Sequence, residues 1–402
     1  MRSLTFRTAG ESHGRGLVAL MEGLPAGLPL SMETDVDPEL RRRQGGYGRG
    51  RRMQIECDRA QVIAGVRLGE TLGSPLAMVV WNRDWDNWIT AMSPEAPSGD
   101  VNPKALRPHY LPRPGHADLV GVLKYDRRDT RDVLERASAR ETAARVACGA
   151  VAKRLLKELG MRIGSHVISI GPEEARPGPV LPEDINAAVD GDPVRCLDAE
   201  ASARMCGAID RAKEEGDTLG GIFEVVASGV PAGLGSYVSW DRKLDGRLAW
   251  ALMSIQAIKG VEIGAGFHGA RRPGSGVHDA IVPSPEKPRS GGLGRESNRA
   301  GGLEGGVSTG EPLLLRAAMK PISTLRKPLP SVDLRDGSVG DAAVERSDVC
   351  AVPAAAVVGE AMVALVLADA VLEKFGGDSL GELRRNFEGY LAYLSDRGWR
   401  ER

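Results

Sequence analysis

The order of hydrophobic and polar residues along the chain shows two patterns, one typical of β-strands and one typical of α-helices. Residues 3–8 and 17–21 alternate closely, which predicts two strands paired across a Gly-rich turn. Longer segments rich in Ala, Leu, Arg and Glu predict helices. The predicted helices are residues 135–159, 199–215, 242–259, 354–375 and 379–394, and residues 221–228 predict a further strand. Helices that alternate with short strands indicate an α+β or α/β class.

Two segments lack these patterns and are predicted to be loops. Residues 81–100 place three tryptophans beside Asp, Asn, Pro and Ser, and residues 291–310 are dense in glycine. Both are candidate lids that would close over bound ligands. The residues with candidate chemistry are scattered from position 12 to position 348. We therefore expect a single domain, residues 1–402, with one site that draws on the whole chain.

Composition narrows the class of protein. Hydrophobic residues at 42% and charged residues at 27% are values typical of a folded protein, and the net charge of -1 predicts neither a nucleic acid nor a membrane as partner. Five cysteines without a CxxC pair indicate no disulfide framework and no metal site. Residues 354–372 include Glu360 and Asp369, so we expect a buried helix there instead of a membrane span. No signal peptide is recognisable, which predicts a cytoplasmic location.

The strongest cluster of positive charge is RRRQGGYGRGRR at residues 41–52. Such a tract could bind RNA, form a solvated loop or fold its guanidiniums onto a small polyanion. The near-neutral net charge and an aromatic content of 4% argue against RNA. Arg greatly outnumbers Lys in the chain, and guanidiniums suit carboxylates and phosphates.

Two histidines lie in loops that suit proton transfer. The motif GESHG at residues 10–14 places His13 between glycines, and RPGHAD at residues 113–118 places His116 in a Pro/Gly loop. Ser138 near a predicted helix start could cap that helix. The motif KPIST at residues 320–324 combines an ammonium with two hydroxyls and could bind a phosphate. The chain has neither a Walker A motif nor a GxGxxG that opens a βαβ unit, so the usual nucleotide-binding folds are not indicated.

Taken together and in order, these motifs resemble the chorismate synthase family over nearly the whole chain. The matching blocks are residues 10–14, 46–50, 113–118 and 135–142, then SIQAIKG at 254–260, NRAGG at 298–302, KPIST at 320–324 and RSD at 346–348. One difference is Ala137, where many family members have a serine.

The resemblance implies a fold and a reaction. The family fold is of the α+β class, a single β-α-β sandwich in which antiparallel sheets enclose long helices, and it assembles as a homotetramer. The reaction converts 5-enolpyruvylshikimate 3-phosphate to chorismate and phosphate, the last shared step toward the aromatic amino acids. This 1,4-anti elimination is a carbon–oxygen lyase reaction that requires reduced FMN without net redox change. Some family members reduce FMN themselves with NADPH, and others depend on an external flavin reductase. This chain shows no extra reductase segment, which favours the external supply of reduced FMN.

The resemblance also implies roles for individual residues. His13 would protonate the leaving phosphate and His116 would face the flavin near N1. Asp348, oriented by the hydroxyls of Ser12 and Ser138, would act near N5. The substrate or NADPH would contact Arg43, Arg49 and Arg113. The expected FMN contacts are Arg136, Ala137, Ser138, Gln256, Ala257, Gly305, Lys320, Pro321, Ile322, Ser323, Thr324 and Arg346. The alternative is another FMN-dependent enzyme that acts on a polyanionic small molecule.

Overall fold

Antiparallel strands and long helices form the frame of the fold in the computed structural model, which describes residues 3–50, 57–176, 178, 180–345 and 347–397. The strands in chain order are β1 (Thr5–Ala9), β2 (Gly16–Glu22), β3 (Ala60–Ala64), β4 (Val66–Arg67), β5 (Glu70–Thr71), β6 (Leu76–Trp81), β7 (Arg162–Ile170), β8 (Glu173–Glu174), β9 (Gly221–Ser228), β10 (Ile258–Ile263), β11 (Ile281–Pro283), β12 (Leu293–Arg295), β13 (Leu303–Glu304), β14 (Val307–Ser308), β15 (Leu313–Met319), β16 (Pro330–Val332) and β17 (Val339–Asp341). The α-helices are α1 (Asp37–Gln44), α2 (Asp118–Tyr125), α3 (Arg131–Ala137), α4 (Thr142–Lys157), α5 (Ile185–Val189), α6 (Ala199–Glu215), α7 (Leu244–Met253), α8 (Gly266–Gly269), α9 (Val352–Phe375) and α10 (Leu380–Asp396).

The two larger sheets are antiparallel throughout. The first has the order β1-β2-β6-β3 and the second the order β10-β15-β9-β7-β8. The predicted pairing of the first two strands is confirmed, with Thr8 opposite Ala19 in the register. The turn that joins these strands, residues 10–15, carries Ser12 and His13. The hairpin therefore places the first histidine motif at one end of the first sheet.

Two long helices lie between the sheets. α4 packs on β2 and β6, α9 packs on β7 and β9, and the two helices pack on each other. Their close approach requires Gly149, because a Cβ there would lie 2.3 Å from the Cβ of Ala361. By length and composition α9 could cross a membrane, but nearly all of it is buried inside the fold, as the sequence predicted. The α+β class and the β-α-β sandwich are confirmed.

One predicted helix is interrupted in the structure, and another ends earlier than the sequence indicated. The prediction of one helix over residues 135–159 is wrong, because Ser138 adopts an extended backbone (φ -62°, ψ 142°) and the chain passes through a 3-10 turn, Ala139–Glu141, before α4. The Ser138 hydroxyl accepts from the backbone N–H of Arg140 and caps this turn. The prediction over residues 242–259 is also wrong, because α7 ends at Met253 and Ala257, at φ 67°, leads into β10. Pairing of β10 with β15 decides that segment against its helical propensity.

The other helix predictions agree closely with the structure, whereas the loop predicted over residues 291–310 contains short strands. α6 has the predicted bounds and ends at Gly216, whose φ of 75° suits a glycine. α9 begins two residues before the predicted start and has Pro353 in its first turn, and Ser379 caps α10. Residues 81–100 form turns with a short 3-10 helix, whereas residues 291–310 contain β12, β13 and β14. One cluster of buried hydrophobic residues runs from Leu4 to Phe387.

Candidate active site

A cleft of about 800 Å³ lies where the β1–β2 turn, α1, α3 and the first turns of α9 meet. This volume suits a ligand or ligand pair of small-molecule size. Of the sequence-predicted site residues, the cleft brings together Ser12, His13, Arg43, Arg49, Arg113, His116, Ala137, Ser138, Gln256, Ala257, Lys320, Ile322, Ser323, Thr324 and Asp348. These residues span most of the chain, which the scattered motifs predicted.

The wall of the cleft is strongly cationic. Its charged lining residues, histidines apart, are Arg43, Arg49, Arg113, Arg140, Lys320 and Arg326 on the positive side and Glu345 and Asp348 on the negative side. Collecting like charges in a partly enclosed site is costly unless counter-charges are present. An anionic ligand would supply them, so the charge balance favours a polyanion.

His13 is hydrogen-bonded to the carboxylate of Glu135 through both its ring and its backbone. Its Nδ1 lies 2.9 Å from Glu135 Oε1, and its backbone N–H donates to Oε2 at 2.8 Å. Trp88 stacks on the imidazole face. The ring therefore has a fixed plane and a fixed edge toward the protein.

His116 belongs to a second fixed group. Its Nδ1 lies 2.5 Å from Asp118 Oδ1, and Arg113 Nε donates to Asp118 Oδ2 at 2.8 Å. Burial alone would raise the pKa of Asp118, but hydrogen bonds from His116 and Arg113 outweigh it and hold that pKa well below its usual range. Arg113 Nη1 also donates to Thr324 Oγ1 at 2.9 Å. This network joins the RPGHAD motif to the KPIST motif.

A buried carboxylate, Asp58, lies behind the cationic wall. Arg43 Nη2 donates to it at 3.0 Å and Arg140 Nη1 at 2.6 Å. Burial and the neighbouring guanidiniums of Arg140 and Arg49 lower the pKa of Arg43 to about 10, although Asp58 opposes this shift. Arg43 stays protonated at neutral pH, so two guanidiniums share one carboxylate beside a third guanidinium.

Asp348 is held by the Arg-rich loop. Its Oδ2 lies 2.7 Å from Arg49 Nη1, and its Oδ1 accepts from the backbone N–H of Gly50 at 2.6 Å. The Ser138 hydroxyl donates to the Ser12 hydroxyl at 3.2 Å. The three side chains line the same cleft, and orientation of Asp348 by the two serines stays a prediction.

The KPIST segment follows β15 and lines the cleft through four of its five residues. Lys320 Nζ donates to the carbonyl of Gly115 at 3.0 Å. Burial, with a smaller contribution from Lys259, lowers the pKa of Lys320. Pro321 is not among the lining residues. An ammonium and hydroxyls from one loop are placed where a phosphate could bind them.

Besides Pro321, two predicted contacts do not line the cleft, and a third lies outside the described residues. The guanidinium of Arg136 donates to the carbonyl of Thr8 at 2.8 Å and to that of Gly10 at 3.2 Å, and is not among the residues that line the cleft. Gly305 lies in the turn between β13 and β14 and is not among the lining residues. Arg346 lies outside the described residues.

Sequence reasoning assigned no role to several charged residues that the site uses. Arg140 and Glu135 stand inside the block at 135–142, and Arg326 stands two residues after KPIST, so proximity to those motifs was an available signal. Asp58 carried no such signal, because its partners Arg43 and Arg140 come from distant segments.

The chain resembles one family of proteins throughout its length. Residues 4–372 match the family model described as chorismate synthase. The chain is 58% identical over 396 residues to chorismate synthase of Symbiobacterium thermophilum, which covers 98% of this chain and 100% of that protein. It is 56% identical over 394 residues to chorismate synthase of Geobacter sulfurreducens, covering 97% of this chain and 99% of that protein. A crystal structure of chorismate synthase superposes with a TM-score of 0.78 at 45% identity, covering 98% of this chain and 99% of that one.

Proposed function

Because the chain belongs to the chorismate synthase family, we propose that its cleft binds 5-enolpyruvylshikimate 3-phosphate beside reduced FMN and eliminates phosphate to form chorismate. The enzyme is a carbon–oxygen lyase that releases phosphate. The observation that carries the finer proposal is the cationic wall with His13 and His116 on it. The substrate has two carboxylates and a phosphate, which such a wall would neutralise.

The elimination conserves electrons overall. The ring C–O bond to phosphate breaks and its electron pair leaves with the phosphate, while a ring C–H bond breaks and its pair enters the new diene. His13 would give a proton to the departing phosphate oxygen, so that charge does not accumulate as the bond breaks. Asp348 would take up or pass on the ring proton, since its carboxylate lines the same cleft. Arg43, Arg49 and Arg113 would bind and orient the anionic groups.

The residues present fit reduced FMN. Gln256 Nε2 donates to Glu141 at 3.1 Å, so its buried Oε1 is an acceptor, and that atom has no hydrogen-bond partner among the described residues. Buried Arg43 Nε is likewise a donor without a partner in the described part of the chain. An apolar wall suited to a flat ring is formed by Leu134, Ile255, Ala354, Ala355 and Val358. When bound, reduced FMN would supply electron density that assists the elimination without net redox change.

Individual residues would divide the binding of FMN between them. Lys320 and Thr324 would bind its phosphate, because an ammonium and a hydroxyl are suitable donors. Ser138, Ala257, Ile322 and Ser323 would contact the cofactor from the rest of the wall. His116, fixed by Asp118, would balance negative charge on the bound ring.

Several finer properties belong to the same proposal. We propose one domain over the chain, which the continuous hydrophobic core supports. We also propose a homotetramer in the cytoplasm that receives reduced FMN from an external flavin reductase, with NADPH as the possible ultimate reductant.

The decisive experiment is anaerobic turnover of 5-enolpyruvylshikimate 3-phosphate with photoreduced FMN. Chorismate absorbance and phosphate release should rise together, with no flavin oxidised. Folded protein that forms no product would overturn the proposed substrate. Consumption of one hydride donor per turnover would instead indicate a flavin oxidoreductase with another polyanionic substrate.

A further inference from the structure

Glu135 is a buried carboxylate at the edge of the cleft with no role in binding an anion. It lies on α3 and is 3% exposed. Its Oε1 accepts from Arg131 Nη1 at 2.8 Å as well as facing His13 Nδ1, and its backbone carbonyl accepts from the N–H of Ser12 at 3.0 Å. One residue of α3 thus holds the Ser12–His13 turn by its backbone and by both carboxylate oxygens.

These contacts restrict rotation of the His13 side chain. The carboxylate contacts both the backbone N–H and Nδ1 of His13, and the Trp88 indole covers one face of the imidazole. Arg131 fixes Glu135 in turn, and its Nη2 extends to Glu345 at 3.2 Å. Burial would raise the pKa of Glu135, but hydrogen bonds from His13 and Arg131 and the charge of His13 outweigh it and hold that pKa below its usual range, so the group is a carboxylate at neutral pH.

This arrangement decides which ring nitrogen carries which proton. A carboxylate only accepts hydrogen bonds, so the Nδ1 that faces it is the nitrogen that keeps its proton. Nε2 is then the nitrogen that exchanges a proton with a ligand. When Nε2 is also protonated, the negative charge of Glu135 stabilises the imidazolium.

We propose that Glu135 is a positioning residue for His13: it fixes the Nδ1–H form of the ring and stabilises the protonated ring that delivers its Nε2 proton to the departing phosphate oxygen. The catalytic part of this inference rests on the proposed function. In the step itself the Nε2–H bond breaks, a phosphate O–H bond forms and the carbon–oxygen electron pair leaves with the phosphate. The ring returns to its neutral form, and its Nδ1–H still donates a hydrogen bond to Glu135.

The chain offers a matched control for this carboxylate. Glu224 is 5% exposed, lies 3.2 Å from His166 Nε2 and accepts from Arg316 Nε at 2.8 Å. The pair Glu224–His166 joins β9 to β7 within the second sheet and is not among the groups that line the cleft. Glu224→Gln therefore removes a buried carboxylate with the same kinds of partner and leaves the cleft unchanged.

The first test uses turnover of the full chain by Glu135→Gln and Glu224→Gln, after circular dichroism shows that both are folded. We expect Glu135→Gln to lower kcat by roughly 100-fold or more with little change in KM, because a histidine held in the wrong tautomer in a comparable arrangement loses up to about 10⁴-fold. Glu224→Gln should keep the kcat and KM of the unsubstituted protein. An unchanged kcat in folded Glu135→Gln would overturn the proposal.

The second test does not depend on the reaction. The chain has six histidines, and comparison with His13→Gln assigns the His13 signals in ¹⁵N-labelled protein. At a pH where the ring is neutral, the shifts should show the proton on Nδ1, and added inorganic phosphate should perturb Nε2 in preference to Nδ1. A proton found on Nε2 of the neutral ring would refute the proposal that Glu135 fixes the Nδ1–H form of His13, whether or not the protein makes chorismate. Failure of turnover with the expected shifts would refute the proposed substrate alone.

Discussion

Trp88 lies flat against the imidazole of His13, with ring centroids 3.8 Å apart and an interplanar angle of 22°. Trp88 is 8% exposed, and the guanidinium of Arg107 lies 4.2 Å from the centroid of its ring. Trp88 Nε1 also donates to Asp84 at 2.9 Å. The contact joins the Trp-rich segment, residues 81–100, directly to the residue proposed to move a proton.

Replacing Trp88 is expected to make the orientation of the His13 ring less fixed while the histidine itself remains. Stacked aromatic pairs contribute about 0.5–1.5 kcal/mol, so Trp88→Ala should lower kcat by about three- to tenfold. Trp85→Ala, in the same segment, is the control and should have little effect on turnover. Equal losses in the two variants would show that the whole segment, and not the stacking contact, supports the rate.

His13 itself is expected to matter far more. His13→Ala should lower the single-turnover rate by roughly two to four orders of magnitude, as is typical when a general acid is lost. His166→Ala removes a histidine from the second sheet and serves as the control for folding. An unchanged single-turnover rate in His13→Ala would remove His13 from the mechanism.

Asp58 is expected to stabilise the folded protein in the absence of an anionic ligand. Asp58→Asn removes the buried carboxylate that Arg43 and Arg140 share, and loss of one partner from a buried ion pair costs about 3–5 kcal/mol. Urea denaturation should show this loss, and added phosphate should restore more stability to the variant than to the unsubstituted protein. Asp132→Asn removes the exposed partner of Arg127 and should leave the stability almost unchanged. Phosphate that stabilises all three proteins equally would contradict the assignment of this cluster as an anion site.

The environment of the Glu360 carboxylate predicts how the free energy of unfolding depends on pH. Its carboxylate is fully buried on α9 and accepts from Arg42 Nη2 at 2.8 Å and Lys153 Nζ at 2.6 Å. Burial would raise its pKa, but Lys153, Arg42 and Arg195 outweigh burial and hold that pKa well below the ordinary 4.5. A carboxyl with a lower pKa in the folded state stabilises the fold above its unfolded pKa, and this contribution is lost as the pH falls.

The free energy of unfolding should therefore decrease as the pH falls below about 4.5. Glu360→Gln should cost about 3 kcal/mol at neutral pH, because it removes the buried carboxylate that Arg42 and Lys153 share and leaves them Glu39 as a common partner. The gap between variant and unsubstituted protein should narrow in acid. Urea denaturation between pH 3 and pH 7 measures both curves, and parallel curves would show that Glu360 does not contribute to the pH dependence.

The helix predictions succeeded where local propensity and tertiary packing agree. α6 ends at Gly216 because the residues before it favour a helix and the glycine accepts a positive φ. α9 is predominantly apolar, and it packs on β7 and β9 of the second sheet and on the helices α4 and α7. In these elements neighbouring residues along the chain carry enough information.

The break at Ser138 shows where such information ends. Residues 135–159 are good helix formers, yet the chain leaves the helix at Ser138, whose hydroxyl bonds Ser12 and the N–H of Arg140. The contact with Ser12 crosses 126 positions of the chain, so no local pattern reports it. The same break separates Glu135, which faces His13, from Arg140, which faces Asp58.

By itself the sequence determined the class of elements, the chemistry of the motifs and the resemblance to a family, because these depend on residue types and on spacing along the chain. Only the tertiary structure decided which charges meet: Glu135 with His13, Asp58 with Arg43 and Arg140, and Glu360 with Arg42 and Lys153. Electrostatic interactions and hydrogen bonds depend on distance in space, and burial strengthens them by removing water. Residues far apart in sequence therefore acquire their partners, and with them their roles, only when the sheets and helices pack.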